Sequence, residues 1–266
     1  MNKLLNFNMP SISKGGMLGM LSGSGSGSGF DMSELKSYNK CDVASSPDTN
    51  VAATVGSSDS LGTASDMAVT GGTFQQSGVI QYSISFDGTD DKSNFGSSVS
   101  QFNFIYSTSY EFSLNFWYAK LSANPNVQTV FMNQRASGAT AGIQWKFDDR
   151  NTARKFEISI KQGNTAFINK VTTMSIPADT DFHMITLTGI STDNGLKLYI
   201  DGGSVETIAE SSTPSGTDNA NTSLQLAQEE DTQYFAGKVC EFSAWNRVLS
   251  ADEITDLYNS GSGLAL

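Results

Sequence analysis

From residue 79 onward the chain alternates: every second residue is apolar over stretches of seven to ten residues, and turn residues separate the stretches. In "YEFSLNFWYA" at 110–119, Phe112, Leu114, Phe116 and Tyr118 fall on one face, while Ser113, Asn115 and Trp117 fall on the other. That period of two belongs to a half-buried strand. "VIQYSISF" at 79–86, "AGIQWKF" at 141–147, "KFEISIKQ" at 155–162 and "AFINKVTTM" at 166–174 read the same way. "FHMITLTGI" at 182–190 and "LKLYIDG" at 196–202 follow, joined by "STDNG", whose Asn-Gly is a hairpin signal. "KVCEFSAW" at 238–245 closes the series. At least eight strands at short spacing, with no helices between them, predict an all-β chain folded as an antiparallel sandwich or jelly roll.

One helix is expected, and it comes last. "SADEITDLY" at 250–258 places Ser250 and Glu253 in capping-box spacing, with Ile254, Leu257 and Tyr258 forming an apolar stripe suited to a sheet edge. The 266 residues are 38% hydrophobic and 10% aromatic, enough to bury the core of one large domain. Sixteen Lys and Arg stand against 27 Asp and Glu, and a net charge of −11 argues against a phosphate backbone as partner. No window holds about 18 consecutive apolar residues, so no transmembrane helix is expected. The opening "MNKLLNFNMPSISKGG" lacks a cleavage pattern after an apolar run and predicts no secretory leader.

Two regions differ sharply in composition. Residues 1–29, ending in "GGMLGMLSGSGSGSG", read as an extended arm followed by a flexible Gly/Ser linker, native or engineered. Within it Met17, Leu18, Met20 and Leu21 offer adaptable apolar contact to a partner. Residues 30–266 form the folded domain. Its first part, 30–78, reads as long loops with short strands, and "DMSELKSY" is its one helical turn.

The segments "ISFDGTDD", "FSLNFWYA", "DFHMITLTG", "LKLYIDG" and "FAGKVCEFSAWNRVLSADEITDLYNSG" occur in the order found in laminin-G-like, concanavalin A-like jelly rolls of the pentraxin type. The chain resembles that family over roughly 80–262, and more weakly over 35–79. The resemblance implies two antiparallel sheets with one concave face, and binding of carbohydrate or protein ligands rather than chemistry. Related sandwiches that hydrolyse glycans carry E-x-D-x-x-E on one strand. No strand here has it, and the acids of "QEEDTQ" at 228–233 fall in an expected loop. The single histidine, His183, reads as a packed strand residue rather than a general base or zinc ligand.

Many members of the family bind one Ca²⁺. The matching positions here are Asp87, Asp90, Asp91 and Asp201, although Asp-Gly at 87–88 and 201–202 is also ordinary turn chemistry. Cys240 stands where the family often has Asp, and shares strand parity with Phe242 and Ala244 as a small hydrophobe would. A bridge between Cys41 and Cys240 is allowed if the first and last strands are neighbours, as in such jelly rolls. A glycan site needs an aromatic platform with amide or charged partners. Asn115, Trp117, Asn133, Gln134, Arg135, Gln144 and Trp145 are the candidates if they meet on the concave sheet; otherwise both tryptophans pack under loops.

Three functions follow. An exterior-type domain without a leader, behind an anchoring arm, favours a non-enzymatic virion protein of a bacteriophage, exposed on the particle surface and docked to other virion proteins. A secreted or cell-surface carbohydrate-binding module is the second. A glycan-processing enzyme is the third, disfavoured by the missing carboxylate pair. A homo-oligomer is left open.

Overall fold

A computed structural model describes residues 30–266 apart from 122–126, 134–140, 149, 151–153, 164, 178, 194, 215–218 and 229–232. In chain order its strands are β1 (Leu35–Asn39), β2 (Met67–Thr70), β3 (Thr73–Ser77), β4 (Tyr82–Asp87), β5 (Lys92–Phe95), β6 (Glu111–Lys120), β7 (Val127–Met132) and β8 (Gly142–Asp148). Then come β9 (Lys155–Gln162), β10 (Thr165–Ser175), β11 (His183–Ile190), β12 (Gly195–Ile200), β13 (Ser204–Ala209), β14 (Leu224–Leu226) and β15 (Ala236–Trp245), before helix α1 (Ala251–Tyr258).

The strands form two sheets. The eight-stranded one runs β13-β12-β11-β6-β15-β4-β3, with β1 added beside the second half of β15. The seven-stranded one runs β10-β9-β8-β7-β14-β5-β2. Every strand pairing is antiparallel. Between the sheets lies an aromatic core: Phe116 meets Trp145 edge-on at 5.4 Å and Phe131 at 4.9 Å, and Phe242 lies 4.5 Å from Phe95. Phe112, Leu114, Phe116 and Tyr118 are all buried, as the alternation requires.

The helix is capped as its sequence demands. The Ser250 hydroxyl accepts from the Glu253 amide, and the Glu253 carboxylate accepts from the Ser250 amide. It does not dock on a sheet edge, however. Tyr258 stacks at 5.5 Å on Trp117, in a strand with neighbours on both sides, so α1 lies over the outer face of the eight-stranded sheet. Arg247 fixes it there: its guanidinium donates to both Glu253 oxygens, at 3.1 and 2.7 Å, and its Nε to the Ser33 carbonyl. Arg247, which closes the run Trp245-Asn246-Arg247, is therefore a bolt between the helix and the start of the domain.

Three expectations need correction. "DMSELKSY" forms no helical turn: Glu34 has φ of 60°, and Leu35–Asn39 is a strand paired to β15. Pairing that buries Leu35 and Tyr38 outweighs the local helical preference. Cys240 does not share a face with Phe242, because Glu241 adopts φ of 53° and β15 shifts register against β6 there. The extra residue puts Cys240 beside Trp117 on the outer face and turns Phe242 into the core. Finally, Cys41 and Cys240 are free thiols, not a bridge, although β1 and β15 are neighbours as expected. The arm residues Met17, Leu18, Met20 and Leu21 lie outside the described residues.

Candidate functional site

The two outer faces differ in what covers them. On the eight-stranded sheet, Tyr38, Asn115, Trp117 and Ser243 are buried beneath Leu257 of α1 and the tail residues Leu264 and Leu266. Asn115 is occupied, its Oδ1 accepting from the Thr186 hydroxyl at 2.6 Å. Trp117 is 2% exposed. Neither offers a surface to a ligand.

The expected glycan set therefore does not converge. Asn115 and Trp117 stand on one sheet, Gln144 and Trp145 on the other, and Trp145 points inward. Asn133 is buried, its Oδ1 accepting from the Ile143 amide at 2.8 Å. Gln134 and Arg135 lie outside the described residues. Only Gln144 remains on an outer face with partial exposure.

Around Gln144 the register builds a row. Cross-strand partners share a face, and in sequence across the seven-stranded sheet they are Asn94 of β5, Gln225 of β14, Met132 of β7, Gln144 of β8, Ser159 of β9 and Asn169 of β10. At about 4.8 Å per strand, Gln144, Ser159 and Asn169 span about 10 Å. A groove of about 200 Å³ lies here, lined by Gln144, Glu157, Ser159, Asn169, Lys170 and Val171. Amides and hydroxyls in a line can exchange hydrogen bonds with a chain of hydroxyl groups, each amide donating and accepting. Sequence reasoning missed Asn94, Gln225, Ser159 and Asn169. Their outward parity is readable in each strand, but their alignment depends on inter-strand register.

An ion network borders the groove. Arg150 donates twice to Asp148, at 2.8 Å each, and once to Glu157 at 2.9 Å. The Arg150 bonds hold the Asp148 carboxyl down to about 2, while burial, helped by the neighbouring Asp148, raises that of Glu157. The two carboxylates share one guanidinium.

The calcium candidates divide. The carboxylates of Asp87, Asp90 and Asp91 lie within 4.8 Å of one another. Asp91 is buried against Gly71, where a Cβ would sit 2.0 Å from Oδ1, and its Oδ2 accepts from the Asp87 amide. Burial, then the charges of Asp87 and Asp90, raise its carboxyl, and a cation would relieve that cost. These hard oxygens fit Ca²⁺. Asp201 belongs elsewhere: it directly follows β12, four strands from β4 in the sheet order, and accepts from the Met184 amide and from His183. His183 sits between Asp201 and Asp179, 2.8 Å from each, and the bond to Asp201 leads in pushing its pKa up to about 9. It is a charged clamp across strand ends.

An antiparallel β-sandwich of jelly-roll type, with one covered and one partly open outer face, is the class of lectin-like folds. The sequence matches, over residues 87–255, the family described as Laminin_G_3, concanavalin A-like lectin/glucanases superfamily, and the chain belongs to it. No curated protein matches the chain in sequence. Among solved structures, the Trypanosoma rangeli sialidase superposes with a TM-score of 0.60 at 14% identity over 87% of this chain. The chain spans only 34% of that sialidase's length. The binding domain of Paraclostridial Mosquitocidal Protein 1 gives 0.60 at 17% identity, covering 86% of this chain and 52% of that one. Domain 4 of AbnA, a GH43 extracellular arabinanase from Geobacillus stearothermophilus, in complex with arabinotriose, gives 0.53 at 14% identity, covering 84% and 97%. At these identities the likeness is one of fold. Among the described residues no helix is long and apolar enough to cross a membrane.

Proposed function

We propose that residues 30–266 are a non-enzymatic carbohydrate-binding domain and that residues 1–29 tether it to a larger assembly, a virion being the reading that the arm and linker favour. The observation that carries the binding role is the row Asn94, Gln225, Met132, Gln144, Ser159 and Asn169, with its groove. Amides and a hydroxyl meet sugar hydroxyls. Arabinotriose bound to a domain of similar fold supports it. A Ca²⁺ held by Asp87, Asp90 and Asp91 belongs to the same reading and would tie the loop after β4 to the segment around Gly71. A binding role rather than hydrolysis is supported by Asp148 and Glu157 sharing Arg150.

The test is a glycan array probed with the full chain and with Gln144→Ala. Binding that Gln144→Ala weakens supports the domain role, and absence of binding to every glycan refutes it. The tether is tested separately, by looking for the chain in purified particles and deleting residues 1–29. Particles that retain the shortened chain at full occupancy would remove the arm's role.

A further inference from the structure

Charge is distributed unevenly over this acidic protein. Between Gly142 and Ser175, the stretch that forms β8, β9 and β10, stand Lys146, Arg150, Arg154, Lys155, Lys161 and Lys170 against Asp148, Asp149 and Glu157. That is a local net charge of +3 within a chain of −11, so the remainder carries −14. Six of the sixteen cationic residues fall in these 34 positions.

Their placement follows the strands. Lys146 lies two residues from Gln144 on β8, and Lys161 two residues from Ser159 on β9, so both share the outer face with the amide row and flank it on opposite sides. Lys170 is exposed on the edge strand β10, but it stands opposite the core residue Ile158 and so faces the other way from Asn169. The one carboxylate lining the groove, Glu157, is bound at 2.9 Å by Arg150, which it shares with Asp148. A polar row inside a positive field, on a protein negative elsewhere, attracts anions to this face and repels them from the rest.

We infer that the ligand of this face is an anionic polysaccharide, one bearing carboxylate or sulfate groups, with the amide row taking its hydroxyls and Lys146 and Lys161 supplying the field for its charges. The inference rests on the carbohydrate-binding reading above and narrows its ligand class. A polyanion without sugar hydroxyls satisfies the field but not the row.

The experiment compares binding of the full chain to polygalacturonate, to the same polymer fully methyl-esterified, and to duplex DNA, at two salt concentrations. Polygalacturonate should bind, weaken as salt rises, and exceed both others by about tenfold or more. Replacing Lys146 and Lys161 by Gln should weaken it at least about tenfold, and replacing both by Arg should not. Equal binding of the esterified polymer would overturn the charge inference while leaving the carbohydrate reading intact. DNA bound as tightly as polygalacturonate would overturn it too, because the row would then contribute nothing. Binding neither polymer form, together with an empty glycan array, would instead remove the reading beneath it.

Discussion

Glu241 provides a direct test of how this domain carries its buried charge. It sits at the β15 bulge, 6% exposed, where its carboxylate accepts from the Tyr38 hydroxyl. Burial pushes its pKa from 4.5 up to about 7, against the lowering effect of the Tyr38 bond and of Lys40. Because the folded value lies above the unfolded one, the associated stability is fully present below pH 4.5 and lost as pH rises through about 7. The gap between 4.5 and about 7 corresponds to about 3 kcal/mol at pH 8. Glu241→Gln keeps an acceptor for Tyr38 and removes the ionisation. At pH 8 the variant should therefore be more stable than the parent by about 2–3 kcal/mol, a rise in Tm of about 5–10 °C for a domain this size. At pH 4.5 the two should unfold at nearly the same temperature. Thermal unfolding followed by circular dichroism at both values measures this. A variant less stable than the parent at pH 8, or an offset independent of pH, would refute the reasoning. Asp48, also pushed up to about 7 by burial, remains in both proteins and enters the difference only through its charge on Glu241.

Three further outcomes are expected. Ser250→Ala removes the helix cap and should cost about 1 kcal/mol in urea unfolding, since the Glu253 amide loses its acceptor; no change would mean that Arg247 alone holds α1. Neither thiol should react with a water-soluble disulfide reagent in the native state, and two per chain should react after unfolding without reductant, because burial raises both Cys41 and Cys240, the latter to about 12; fewer than two would mean that a bridge exists. Calcium at ten times its Kd should stabilise the parent by about 1.4 kcal/mol and leave Asp91→Asn unmoved, and equal shifts in the two proteins would place the ion elsewhere.

Alternation along single strands was legible without a structure because it depends only on the pleat: Phe112 to Tyr118, Phe156 to Ile160 and the capped helix at 250 all stand where their spacing puts them. Local rules failed where a partner strand decided the outcome. Residues 35–39 became a strand because β15 lay free beside them, and the bulge at Glu241 reversed the face of Cys240. The site depended most on such long-range pairing. Trp117 looked like a ligand platform until the helix lay down on it, and Trp145 until its sheet closed over the core. Conversely, Asn94, Gln225, Ser159 and Asn169 carry no local mark, and they become a row with Gln144 only through the register of five strand pairings.

The sequence by itself determined the all-β class, the family and the face shown by residues of the regular strands, since these follow from side-chain periodicity and short motifs. Only the tertiary structure decided which face stays open, which carboxylates meet and where the positive charge gathers. Those properties belong to residues far apart in the chain, brought together by hydrogen-bonded register and by burial of the core between the sheets.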